Sequence, residues 1–141
     1  MINMKNYLII SGAILIAISA FAGCKKDSGL DVRDAFVATY SVAETWTENG
    51  KQLTKPAFTM SVEKSSQNSE KLLLNNFANY GAGITVEATL KNNVITIAQQ
   101  TLPNLKGIIG SGTFTGTSLI ITYTEVQGST SIAVTAIANK L

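Results

Sequence analysis

Few residues in this chain can do chemistry, and their spacing narrows the field quickly. There is one cysteine, Cys24, and no histidine. The missing histidine removes the commonest general base and the commonest metal ligand together. Ser61-Val62-Glu63-Lys64 has the S-x-x-K spacing of a serine nucleophile with its lysine. That chemistry needs a helix, where positions three apart share a face. Here Phe58, Met60 and Val62 alternate with Thr59, Ser61 and Glu63, a strand pattern that sends Ser61 and Lys64 to opposite sides. The partner motifs S-D-N and K-T-G are absent as well. The glycine-rich Gly107-Ile108-Ile109-Gly110-Ser111-Gly112 lacks the lysine and the following helix of a phosphate loop, and Thr113-Phe114-Thr115 continues as strand. Glycines at 110 and 112 suit bends instead. No two acids can be brought together by spacing, so a glycosidase pair has no support. The chain is expected not to be an enzyme, and no cofactor or metal is implied.

Two features remain as candidate binding chemistry. Glu44 shares strand parity with Tyr40, Val42 and Trp46 and so points toward one end of the strand's inner face. A buried acid there would need a partner; the expectation is that solvent reaches it. The large residues on inward parity are Phe36, Tyr40, Trp46, Phe58, Met60 and Tyr123. They either fill a core or line a cavity. In the cavity reading Trp46, Phe58 and Met60 form the wall, and the hydroxyls of Tyr40 and Tyr123 supply polar handles for a small apolar ligand. In the other reading the core is solid and the outer surface meets an envelope or foreign protein.

The N-terminus has the parts of an export signal. Lys5 lies in a short polar start, an apolar run extends from Tyr7 to Ala22, and Gly23-Cys24 precede Lys25-Lys26. The run of sixteen residues falls short of the roughly 20 that span a bilayer. Phe21-Ala22-Gly23-Cys24 resembles a bacterial lipobox, with Phe in place of the usual Leu. The resemblance implies cleavage before Cys24 and acylation of its thiol by palmitate-class chains. Residues 1–23 would then be a signal peptide, 24–33 a lipidated polar tether and 34–141 the domain. Two or more acyl chains hold a protein stably in a membrane where one does so marginally. Lys25 resembles outer-membrane rather than inner-membrane sorting, so the expected location is the outer membrane, by lipid anchor, facing either the periplasm or the cell surface. Net charge is +2 with no basic stripe, which excludes a nucleic-acid footprint.

From Phe36 onward the pattern is alternation. Strands are predicted over Phe36–Thr47, Phe58–Lys64, Leu72–Phe77, Ile84–Leu90, Val94–Gln100, Ile108–Thr115, Leu119–Val126 and Ser131–Asn139. Asn49-Gly50 and Asn92-Asn93 suit tight hairpins, and Pro56 is expected to start the second strand. Eight short strands with tight turns predict an all-β, antiparallel up-and-down meander. It would close, or nearly close, into a small barrel, with a two-layer β-sandwich as the alternative. Phe36-Val37-Ala38-Thr39-Tyr40, Asn75-Asn76-Phe77, Ile95-Thr96-Ile97 with Gln100, and Gly110-Ser111-Gly112 resemble segments of the small lipocalin-like lipoproteins of Bacteroidota. Ala38 and Tyr40 stand where that family's opening strand usually has Gly-x-Trp. The resemblance implies a calycin-like barrel, and fold alone does not fix an activity.

Overall fold

The computed structural model describes residues 29–104 and 106–141; Cys24 and the export-signal segment lie outside the described residues. The described chain opens with a 3-10 turn, Val32–Ala35. Eight strands follow: β1 (Ala38–Glu48), β2 (Lys51–Lys64), β3 (Lys71–Asn75), β4 (Thr85–Lys91), β5 (Val94–Thr101), β6 (Gly107–Phe114), β7 (Ser118–Gln127) and β8 (Thr130–Lys140). Each pairs antiparallel with its neighbour in sequence, and β8 pairs with β1, which closes the barrel and excludes the sandwich. Both residues of Asn49-Gly50 and of Asn92-Asn93 have positive φ, the mirror-image turn geometry that matches strand twist.

The interior is filled by alternate side chains from every strand, among them Tyr40, Val42, Met60, Leu72, Leu74, Val86, Ile95, Ile97, Ile121 and Tyr123. Each fully buried aliphatic side chain contributes about 1.5–3 kcal/mol. Two glycines let the wall draw inward on the β6 side. A Cβ at Gly110 would lie 2.6 Å from the Tyr123 Cβ and 2.6 Å from the Thr122 carbonyl oxygen. The glycines expected at bends therefore serve close approach of β6 to β7.

One end of the barrel is sealed. Phe36 lies outside β1, just beyond the 3-10 turn, but is fully buried, with its ring 4.7 Å from that of Phe114. Tyr40 donates its hydroxyl to the Phe36 carbonyl at 2.7 Å, and burial pushes that phenol up to about 12. Arg33 is buried across the same end. Its guanidinium donates to the carbonyls of Ser65 (3.1 Å), Asn68 (3.0 Å) and Lys71 (3.3 Å) and to the Asp31 carboxylate at 2.7 Å. Hydrogen bonds from the Arg33 side chain and backbone N–H hold the Asp31 carboxyl well below the usual carboxylate range.

The second strand departs from expectation in a way that shapes the other end. β2 begins at Lys51 directly after the turn and runs through Pro56. The register passes from Val42↔Phe58 to Glu44↔Lys55, so Pro56 and Ala57 together face the single residue Ala43. This is a β-bulge, a position where a strand tolerates proline. The extra residue reverses parity, so Lys55 joins Phe58 in facing inward. A second irregularity lies in the β5–β6 register between Ile97 and Gln100, on the stretch of β5 beyond the last β4–β5 pair, Thr89↔Thr96. There the side-chain amide of Gln100 takes the place of a ladder pair: it accepts from the Glu87 N–H at 3.2 Å and donates to the Glu87 carbonyl at 2.9 Å.

Candidate functional site

The open end, or mouth, gathers the β1–β2 and β7–β8 turns with the loops that follow β3 and β5. β1 brings Glu44, Trp46 and Glu48 there on one face, at every second position. The expectation that solvent reaches Glu44 is overturned: its side chain is only 2% exposed. Tyr123 donates its hydroxyl to Glu44 Oε1 at 2.9 Å, and Lys55 Nζ lies 3.0 Å from Glu44 Oε2. Lys55 also donates to the Ala78 carbonyl at 2.8 Å, in the short 3-10 turn Phe77–Asn79 that follows β3. The bulge at Pro56-Ala57 makes this possible, since without it Lys55 would face solvent.

A second charged pair stands beside the first. Glu125 accepts from the Tyr80 hydroxyl and from Lys106 Nζ. The Lys106 ammonium lies 4.7 Å from the Tyr80 ring centroid, and that of Lys55 lies 5.5 Å from the same centroid. Burial pushes the Glu125 carboxyl up; nearby Lys55 opposes the shift and Glu44 adds to it. Burial, then the Glu44 carboxylate, raise the Tyr123 phenol as well, so it stays a neutral hydrogen-bond donor. Every buried side-chain polar atom among the described residues has a partner.

Between these pairs and the β8 wall is a cavity of about 240 Å³. Trp46, Ile132 and Val134 form its apolar side; Glu44, Glu48, Lys55, Lys106, Tyr123 and Glu125 form its polar side. Of the residues expected to bind a ligand, Trp46 and Tyr123 line this cavity. Phe58 is buried with its ring centroid 6.0 Å from Lys55 Nζ. Tyr40 and Met60 are cross-strand partners inside the packed interior, with the Tyr40 hydroxyl spent on the sealed end. A wall of Trp46, Phe58 and Met60 is therefore not what the structure builds.

Lys55, Tyr80, Lys106 and Glu125 belong to the site without having been expected there. Pro56 inside an alternating segment was the available signal for Lys55. The others converge from separate loops and strands, which spacing alone does not reveal. Ser61 and Lys64 stay apart: Ser61 accepts from the Asn75 amide at 3.3 Å, while Lys64 pairs with Asp34 and lies 3.5 Å from Asp31. Among the described residues no group of three or more His, Cys, Asp or Glu could hold a metal, and no helix is long and apolar enough to cross a membrane.

No family model matches the chain, and no curated protein matches it. Among solved structures it is similar to a Bacteroides fragilis protein provisionally named an outer membrane protein, at TM-score 0.50 and 20% identity. The match covers 79% of this chain and 53% of that one, so the chain spans about half the length of the structure it resembles. At that identity the likeness is one of fold.

Proposed function

We propose that this chain is a lipid-anchored, non-enzymatic binding module of the cell envelope, with its ligand site at the barrel mouth. The observation that carries the reading is the cavity on top of a filled interior, with Trp46, Ile132 and Val134 on one side and fixed charges on the other. Ligand sites favour barrel mouths, apolar linings and a few oriented polar groups. About 240 Å³ suits a small ligand, or one small apolar group of a larger one. The envelope assignment draws on the export-signal composition, on the lipobox resemblance ending at Cys24, and on the provisional name of the Bacteroides fragilis neighbour. In this reading Cys24 carries the acyl chains and the polar residues that follow it tether the barrel to the bilayer.

Trp46 is the single tryptophan, so fluorescence reports the site without labelling. Titration of the mature, detergent-solubilised protein with small alcohols and amphiphiles, cyclohexanol to octanoate, is expected to shift Trp46 emission saturably. Trp46→Ala is expected to abolish uptake measured by equilibrium dialysis. An unchanged spectrum across the series would remove the mouth as a small-ligand site. Metabolic labelling with an alkynyl palmitate analogue tests the anchor, with the label lost in Cys24→Ser.

A further inference from the structure

The barrel wall parts at the mouth. β1 continues to Glu48 and β8 begins at Thr130, but their ladder stops at Trp46↔Val134. Each strand stays paired within its own hairpin up to the turn, Glu48 with Lys51 and Thr130 with Gln127. Thr47 on one rim and Ser131 and Ala133 on the other therefore carry edge N–H and C=O groups with no strand opposite among the described residues, while Glu48, Thr130 and Ile132 turn theirs to their own hairpins. The slot between the rims holds about 560 Å³, with Thr45, Thr47 and Thr135 along it. Trp46, Glu48 and Ile132 line both the slot and the mouth cavity, so the two spaces adjoin.

We propose that the slot receives an extended peptide segment of a partner protein as an added strand, and that the mouth cavity takes one of its basic side chains. The proposal rests on the reading of the mouth as a binding site and names what binds there. Two facing strand edges are complemented by another main chain, whose groups repeat at the same spacing; a small apolar molecule leaves them unmet. In an inserted strand every second side chain points into the barrel. Such a side chain meets Trp46 and Ile132 first and the carboxylates next. Glu44 and Glu125 are each held by a lysine, whereas Glu48 makes no ion pair among the described residues. The uncompensated charge is negative. A Lys or Arg fits this arrangement, with its apolar stem along Trp46 and Ile132 and its charged head at Glu48.

The test uses the mature protein and a blocked peptide, acetyl-Thr-Val-Thr-Lys-Thr-Val-Thr-amide, with Trp46 emission as the readout. Companion peptides carry Glu in place of Lys, or N-methyl groups at alternate residues. The Lys peptide is expected to bind at least about tenfold more tightly than the Glu peptide, and N-methylation to abolish binding. Glu48→Lys, a change at an exposed residue, is expected to reverse the order of the two peptides with an unchanged circular dichroism spectrum. Equal binding of the Lys and Glu peptides, equal binding of the N-methylated one, or silence toward all three overturns the proposal. If small alcohols still shift Trp46 in that case, the mouth remains a site without a peptide; if they do not, the functional reading fails with it.

Discussion

Glu44 carries the largest electrostatic burden in the barrel, because a carboxylate that is 2% exposed is held by Lys55 and the Tyr123 hydroxyl. Removing one partner of such a pair leaves an uncompensated buried charge. Lys55→Ala is therefore expected to cost about 2–3 kcal/mol in urea unfolding. Lys64→Ala, which removes a pairing at the exposed, solvent-screened rim of the sealed end, should cost much less. Equal losses would mean that the Glu44 pair is no better shielded than the rim pair. Glu125 gives a pH signature of known sign. Its folded carboxyl titrates above the ordinary value, so between the two values the native state binds more protons than the unfolded chain. Its contribution is fully present below the ordinary carboxylate range and is lost as pH rises through the raised folded value. Thermal melts from pH 4 to 8 should show this fall, and Glu125→Gln should flatten it.

At the scale of elements, the inward-facing glycines of β6 and the bulge of β2 set the shape of the mouth. Gly110 lies opposite Tyr123, whose hydroxyl holds Glu44. Gly110→Ala forces a methyl against backbone and side-chain atoms 2.6 Å away and is expected to cost about 1–3 kcal/mol. Denaturant titration should show a lower midpoint with an unchanged slope; an unaltered midpoint would show that β6 and β7 can separate freely. Seven of the predicted strands fall within a few residues of their observed ends because each alternates on its own. The true start of β2 at Lys51 is hidden in the sequence because Pro56 looks like a boundary when register is unknown. Only the register of β2 against β1, which skips Ala43, reveals a bulge that allows the strand to continue. The candidate site was legible in the same uneven way. Glu44, Trp46 and Tyr123 could be found by parity within their strands, whereas the Tyr80–Glu125–Lys106 contact joins a loop, a strand and a second loop and exists only once the barrel closes.

For the whole molecule, inside and outside are chemically sorted. The interior is apolar, and the outward side chains of β1, β5, β6, β7 and β8 are mostly Thr, Ser and small or branched residues without a charge. The register aligns Thr89, Thr96, Ser111, Thr122, Thr135, Thr45 and Thr54 in one row across seven strands. A membrane-spanning barrel has the reverse arrangement, an apolar outer band around a polar lumen. On the proposed reading, this barrel stands in water and meets the bilayer through its tether. The sealed end carries the N-terminal 3-10 turn, so a lipid at Cys24 would hold that end toward the membrane and leave the mouth facing away from it.

The measurement that bears most directly on this account is native mass spectrometry of the mature protein, released gently from envelopes, beside the same preparation of Trp46→Ala. A binding module at the mouth predicts a discrete extra mass on the wild type beyond any acyl chains at Cys24, absent from the variant. A wild type that carries only its acyl chains, from every growth condition and at every gentle setting, would contradict a binding module at the mouth.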